Sequence, residues 1–425
     1  MDRFDYIDGK LFAEGVDVAR IAEQIGTPVY IYSKATFLDH LSKIKTAFSE
    51  LDTTVCFSIK ACGNINILKF LAAAGSGFDI VSGGELYRAK QAGADMSKVV
   101  YAGVGKTDKE ILEALQAGIG YFNIESEEEM ANIIKIAKAN NLKTKAALRV
   151  NPDVDYGAKA MTNVGVKDTK FGVDIERAKR VFQDFGHDNN VDLCAIHVHL
   201  GSEGKKAEPY SKALEKIVPL IDDLRAAGHR IEAIDMGGGY GADYETGTAP
   251  PAEKYAEAIV PMLKGKNLKL ILEPGASVAA NAAIMLTKVL YLKTGKEKKF
   301  VIVDAGMNDL IRPPLYGSFH FIWPAQVKSE LMPGKREKDI TIDGTEVVDV
   351  VGPICESTDF LATARSLAPV QRGDLVAVFT TGAYGYSMSS NYNSRPMLPE
   401  VLVDGDDFTV IRKRQTYENL VELEK

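Results

Sequence analysis

Eight times between residues 53 and 275 a short apolar run is followed by a helix-like stretch, and this alternation constrains the fold more than any other feature of the chain. The runs are "TVCFSIK", "GFDIVS", "KVVYAGV", "GYFNIE", "KAALRV", "LCAIHVHLG", "IEAIDMGG" and "LKLILEPG". Between them lie segments such as "INILKFLAAAG", "GGELYRAKQAG" and "SEEEMANIIKIAKANN", several closing on Gly or Asn as helix ends do. The runs are apolar rather than alternating, as expected of a parallel sheet covered by helices. Eight βα units predict an α/β chain with a closed, TIM-like (β/α)8 barrel. An open doubly wound sheet is the rival, with "GGGYG" as its phosphate loop. That run follows the seventh strand, whereas such a fold carries its glycines at the opening βα turn, which here reads "KACGN".

After residue 280 the texture changes. "KFVIVDAG", "DITIDG", "TEVVDVVG", "DLVAVFTTGAYG" and "EVLVDGDDFTVIRK" read as short strands separated by turn residues, which predicts a C-terminal all-β domain. The first 29 residues read as a hairpin and a helix that join it. The expected division is a barrel over 30–280 and a β-rich domain from 1–29 plus 281–425, the latter completing the active site.

The totals exclude several classes of function. A chain of 425 residues with 46% hydrophobic and 26% charged residues has the composition of an ordinary globular enzyme. Its net charge of −7 argues against nucleic-acid and anionic-membrane partners. No apolar run approaches a membrane span, and "MDRFDYIDGKLFAEG" has no basic start followed by an apolar stretch, so a cytoplasmic chain is expected. Cys56, Cys62, Cys194 and Cys355 form no CxxC pair and read as free thiols. The HxH of His197 and His199 lacks further ligands at metal-binding spacing, and both rings share one strand face, so no metal is expected.

In such a barrel the active site lies at the C-terminal ends of the strands. The unusual residues fall there: Lys60 after the first strand, Asp79 and Ser82 after the second, Arg149 and Asn151 after the fifth. His199, Gly201 and Ser202 follow the sixth, Gly237, Gly238 and Gly239 the seventh, and Glu273 the eighth. Each alone has an ordinary explanation: a glycine triplet is often a tight turn, and a lysine can snorkel to a rim. Together they make chemical sense. A lysine amine in an apolar surround has its charged form disfavoured and becomes a nucleophile able to form a Schiff base. Glycines let backbone N–H groups approach a phosphate, and a carboxylate can hold a protonated ring nitrogen. These are the needs of one cofactor, pyridoxal 5'-phosphate (PLP).

At this point the chain resembles a known family. "FSIKACGN", "GFDIVSGGEL", "HVHLGS", "DMGGGYG", "EPG", "DAGMNDLIRPPLYGSFH", "GPICESTD" and "GAYGYSMSSNYNSRP" run in family order from residue 57 to 396. The set is similar to the fold-type III PLP-dependent decarboxylases, with their alanine-racemase-like barrel, and within them to the diaminopimelate decarboxylase branch. The resemblance implies decarboxylation of meso-2,6-diaminopimelate to L-lysine and CO2, the last step of lysine biosynthesis. Lys60 would carry the cofactor and His199 would stack on its ring. Gly238, Gly239 and Tyr384 would help bind its phosphate, and Glu273 would pair with the pyridine nitrogen. Asp79, Ser202 and Gly275 would complete the cofactor site. Arg312 and Tyr316 would hold a substrate carboxylate, with Tyr384 beside them, and Glu356 would contact a substrate amino group. Cys355 would be the proton donor. A lone cysteine is ordinarily a small buried hydrophobe, but this one sits in a loop after "VVDVV", where packing gives little reason for it. In the family Cys355 and Glu356 come from the second subunit, which implies a homodimer with shared active sites.

The chain departs from the family pattern in two places. The usual "EPGR" reads "EPGAS", so Ala276 stands where these enzymes usually carry an arginine that touches substrate. The loop "NPDVDYGAKAMTNVGVKDTKFGV" lacks the usual histidine-rich start but retains "KFG". Arg395 is a candidate to compensate. The rival substrate is another basic amino acid, such as carboxynorspermidine.

Overall fold

The computed structural model describes residues 2–155, 169–201, 204–246 and 250–425. The chain forms two compact units, one of His40–Gly241 and Pro250–Ser277, the other of Met1–Asp39, Ala242–Ala249 and Val278–Lys425.

In the first unit eight parallel strands close into a barrel: Thr53–Ser58, Gly77–Ile80, Val99–Tyr101, Tyr121–Ile124, Thr144–Arg149, Val191–His197, Ala233–Asp235 and Lys269–Leu272. The last pairs with the first, Leu272 opposite Val55. The eight apolar runs in the sequence are these strands. Helix starts fall where side-chain oxygens can satisfy free N–H groups, with Ser82, Thr107, Ser126 and Asp174 each capping a helix. Thr107 and Glu110 form a full capping box, and Gly118 ends that helix in the left-handed conformation. Cys56, Val100, Tyr121, Ala147, Cys194, Ala195, Ala233 and Ile271 pack inside the barrel. The mixture of small and large side chains fills the interior, so the barrel is a packed core and its strand ends must carry the chemistry.

The second unit is built on a nine-stranded sheet. Its longest strand, Ala283–Thr294, pairs with Val29–Ser33, Lys299–Val303 and Leu375–Val378. Val29–Ser33 therefore belongs to this sheet, and the compact units divide near residues 39 and 278. "DITIDG" is not a strand. It forms turns, with Gly344 at φ +86° and Thr345 N–H donating to the Ile342 carbonyl at 3.2 Å. Its apolar residues are too few, and too close to Asp343–Gly344, to outweigh the turn. Conversely, Val29–Ser33, Ala283–Thr294, Ile322–Pro324 and Phe360–Leu367 are strands absent from the expected set. The N-terminal hairpin forms as expected: Phe4–Ile7 pairs with Lys10–Ala13 across Asp8–Gly9, whose φ values of +51° and +78° suit the tight turn. The helix Val18–Ile25 follows, capped by Asp17.

Candidate active site

Strand one places Lys60 two residues beyond its end, on the same side as the end of strand two. The Lys60 amine donates to Asp79 Oδ2, and Ser58 Oγ donates to the same oxygen at 2.7 Å. Asp79 is fully buried; burial and the charge of Glu273 raise its carboxyl above the usual range, while Lys60 pulls the other way. The lysine that ends an apolar strand is thus paired, as a cation against a dry interior requires.

Behind it lies a polar cluster on the barrel axis. Asn123 Nδ2 donates to Glu273 Oε1 at 2.9 Å and to Asp235 Oδ2 at 3.1 Å. His197 Nε2 lies 3.5 Å from Glu273 Oε2, and all four side chains are buried. Donor atoms of His197, Asp235 and Glu273 lie within 4.8 Å of one another. Two carboxylates this close in a dry site are pushed apart in their titration. Burial alone would raise Glu273, but His197 and Lys60 outweigh it and hold the carboxyl below its usual range. Burial and the charge of Glu273 push Asp235 well up. Glu273 is therefore the member held toward its ionised form, and Asp235 the one pushed toward its protonated form.

The glycine triplet after strand seven is required sterically. Gly237 has φ +63° and Gly239 φ +91°. A Cβ on Gly238 would collide with the Glu273 carbonyl oxygen, and one on Gly237 would strike His199 Nδ1. His199 Nδ1 accepts from Gly238 N–H at 3.2 Å, which leaves Nε2 as the protonated nitrogen. Burial, then the charge of Arg149, pushes His199 well below the usual imidazole range, so the ring is neutral. Arg149 itself is buried against Glu125, Nη1 to Oε1 at 2.8 Å, and lies over the Phe171 ring at 4.5 Å. Glu125 Oε2 also accepts from Gly172 N–H at 2.8 Å, which pins the retained "KFG" segment to the barrel. Gly275 is buried just after strand eight. Ser202 and most of the loop after Asn151 lie outside the described residues.

This donor set fits PLP. It offers a lysine amine, an ionised buried carboxylate, a neutral imidazole face and a glycine turn, all at the C-terminal ends of the strands. Asp79 Oδ1 and Asn123 Oδ1 are buried there without a hydrogen-bond partner. A separate cavity of about 540 Å³ at the opposite end of the barrel, lined by Asp52, Tyr121, Lys145, Glu232 and Lys269 among others, contains none of these groups.

The second unit carries the other expected residues. Arg312 begins the short helix Arg312–Tyr316 and is buried, its guanidinium 4.7 Å from the Tyr244 ring and 5.9 Å from the Tyr384 ring. Tyr384 has φ +56°, a left-handed conformation that a bulky residue adopts only when its surroundings fix it. Tyr316 closes the same short helix, half-buried. Cys355 and Glu356 are exposed in the loop after the strand Glu346–Val351. Arg395 donates from Nη2 to the Asp304 carbonyl at 3.2 Å.

Comparison with known proteins identifies this constellation. The model of the pyridoxal-dependent decarboxylase family, pyridoxal-binding domain, matches residues 34–280. The diaminopimelate decarboxylase of Aquifex aeolicus is 42% identical over 419 residues, covering 98% of this chain and 96% of that protein. The chain belongs to the diaminopimelate decarboxylase family of PLP-dependent decarboxylases. Its counterpart in Vibrio cholerae is also 42% identical, over 100% of this chain and 99% of that one. The diaminopimelate decarboxylase crystal structure from M. jannaschii, in complex with L-lysine, superposes with a TM-score of 0.92 at 34% identity, covering 100% of this chain and 98% of that chain. The fold resemblance and the decarboxylase assignment read from the motifs agree with these relatives, and membership brings PLP as the cofactor. Among the described residues no helix is long and apolar enough to cross a membrane.

Sequence reasoning missed two members of the polar cluster. Asn123 lies mid-strand in "GYFNIE" and Asp235 ends "IEAID", and each alone reads as a strand polar residue. A buried-strand asparagine inside an apolar run was the available signal, since a polar group in such a run needs a partner across the barrel.

Proposed function

We propose that this chain decarboxylates meso-2,6-diaminopimelate to L-lysine and CO2, with PLP held on Lys60. The observation that carries this reading is a lysine amine, bonded to the buried Asp79, on the same barrel rim as a buried Glu273 whose carboxyl is held below its usual range. The substrate follows from the relatives that match over the full chain. When bound, the cofactor supplies an electron sink for the broken C–C bond. Lys60 Nζ would hold the cofactor, its amine being the group able to form the Schiff base. Glu273, ionised, favours a proton on the ring nitrogen and so strengthens that sink. His199, neutral, covers the ring face without adding a charge that would oppose the protonated ring. Arg312 offers two parallel N–H donors to the carboxylate that stays, and Tyr316 a hydroxyl. Cys355 Sγ gives a proton to the carbon that has lost CO2, and Glu356 faces a substrate ammonium. Ser202 and Tyr384 serve the phosphate with Gly238 and Gly239.

The active species is a homodimer, in which Cys355 and Glu356 of each subunit serve the other subunit's site; their exposure in the loop supports that role. The protein works in the cytoplasm, where its substrate and the reduced state of its four free cysteines are at hand.

Borohydride reduction of the purified holoenzyme, followed by peptide mass analysis, tests the reading. Reduced cofactor on Lys60 supports it; a colourless protein that takes up no added PLP would end it. CO2 release is then measured for meso-diaminopimelate, ornithine and carboxynorspermidine. One observation favours the second substrate class: Ala276 replaces an arginine that ordinarily touches substrate, a loss of about 1.5–3 kcal/mol of charged hydrogen bonding. Ala276→Arg is compared with wild type for kcat/KM on diaminopimelate: a fall of about tenfold or more would show that the pocket is built around the alanine. A rise instead would mean that the missing contact limits this enzyme.

A further inference from the structure

The loop Gly352–Asp359 carries the proton-donor candidate at an exposed tip, yet its backbone is tied down on both sides of that tip. Asp359, buried, accepts from Ile354 N–H at 2.6 Å through Oδ2 and from Met307 N–H at 2.7 Å through Oδ1. A side chain at Gly352 would collide with the Gly306 backbone, so the loop starts pressed against the segment that Asp359 also grips. Ile354 is buried beneath the tip, and Glu356 N–H turns back to its carbonyl at 2.8 Å.

The next amide is held from elsewhere. Cys355 N–H donates to Asn393 Oδ1 at 2.7 Å, across 38 residues of sequence. Asn393 has φ +56° and ψ +28°, and Ser394 follows at φ +53°. Two successive non-glycine residues in the left-handed region cost free energy, and such strain persists only where the surroundings over-determine it. Here they do. Asn391 Nδ2 donates to the Arg395 carbonyl at 2.9 Å and to Gln415 Oε1 at 2.6 Å, and Ser390 N–H donates to the Asn308 carbonyl at 2.8 Å. Glycine would suit the backbone at 393 better but could not reach Cys355. Asparagine tolerates the left-handed conformation and supplies an amide oxygen.

We propose that Asn393 is a positioning residue that sets the Cys355 thiol in place before substrate arrives, by anchoring the Cys355 amide while Asp359 anchors the amide before it. This rests on the reading of Cys355 as proton donor. The consequence is stereochemical. A thiol held on a fixed backbone delivers its proton to one face of the substrate carbon. A thiol on a loosened loop competes with solvent, and solvent can reach either face.

The test compares wild type with Asn393→Gly, Asn393→Asp and Cys355→Ser as holoenzymes. Asn393→Gly relieves the backbone and removes the side chain with its acceptor oxygen; Asn393→Asp keeps the acceptor. For Asn393→Gly, kcat is expected to fall about tenfold or more, since small misplacements of reacting groups are costly, with KM changed by less than about twofold. Product formed in D2O is analysed by NMR for the configuration of its newly deuterated carbon: one configuration for wild type and Asn393→Asp, a mixture for Asn393→Gly. Amide hydrogen exchange on the cofactor-free protein gives a second readout, with faster exchange at Cys355 in Asn393→Gly and none of that gain in Asn393→Asp. Wild-type kcat, a single configuration and unchanged exchange in Asn393→Gly would overturn the proposal. Cys355→Ser separates the two layers: if it keeps wild-type kcat and one configuration, the proton-donor reading falls and takes this inference with it. If it loses both while Asn393→Gly keeps both, only the role of Asn393 falls.

Discussion

Glu273 shows what one side chain must do here and what it needs from others. A buried carboxylate by itself would take up a proton, and a neutral acid could not hold a proton on a ring nitrogen opposite it. His197 and Lys60 keep Glu273 ionised, and Asn123 Nδ2 satisfies one of its oxygens. Asp235, in the same cluster, is pushed in the opposite direction by burial and by the charge of Glu273. Glu273→Gln keeps the size and the contact with Asn123 while removing the charge. It is expected to lower kcat by about 100-fold or more, in the range seen when a preorganised electrostatic group is lost. Lys60 should still be labelled by borohydride reduction, because the covalent attachment does not depend on that charge. If the variant lost the label together with activity, Glu273 would be needed to retain the cofactor rather than to tune it.

At the scale of elements, the strand ends are held by groups that take no part in chemistry. Glu125 closes strand four and accepts from Arg149 at the end of strand five and from Gly172 in the loop beyond. Removing one partner of a buried ion pair strands the other, at a cost of about 3–5 kcal/mol. Glu125→Ala should therefore lower the urea midpoint substantially without altering the reaction catalysed. A shift within error would show that water reaches Arg149. His320 gives the β-rich unit a pH dependence of known sign. Burial, aided by Arg312, lowers its pKa to about 3, against 6.5 when exposed. The unfolded chain therefore binds the extra proton first as pH falls, and stability declines between pH 6.5 and 3, by up to about 1.4 kcal/mol per unit. His320→Asn, whose Nδ2 stands where the imidazole Nδ1 meets the Phe379 carbonyl, should flatten that part of a urea-midpoint profile.

The same scale explains what could be read from the sequence. The eight barrel strands were legible because parallel strands buried on both faces are apolar throughout, and Lys60 and Glu273 stood out against those runs. "DITIDG" misled because a six-residue stretch with two apolar residues, Ile340 and Ile342, fits a strand and a turn equally, and only the turn at Gly344 decides. Asn393 and Asp359 were out of reach for another reason. Each acts on backbone amides, 38 residues away for Asn393 and as far as 52 for Asp359, and a hydrogen bond to backbone leaves no mark in the residue type at the other end.

For the whole molecule, the proposed sharing of Cys355 and Glu356 between subunits is open to a test that needs no structure of the dimer. Lys60→Ala and Cys355→Ala chains are each inactive alone if both residues are essential. If each subunit's Cys355 serves the other subunit's barrel, a mixed dimer holds one site with both defects and one with neither. Random exchange of equal amounts makes half the dimers mixed, so about a quarter of wild-type activity should return, the arithmetic of an isologous twofold interface. If Cys355 instead serves its own barrel, every site in the mixture carries one defect and no activity returns. The mixture should be dissociated and reassociated before assay, with each variant alone treated in the same way as the control. Activity that returns in proportion to the mixed-dimer fraction, read by native mass spectrometry, would assign the proton donor to the neighbouring subunit and make the dimer the smallest unit that can turn over.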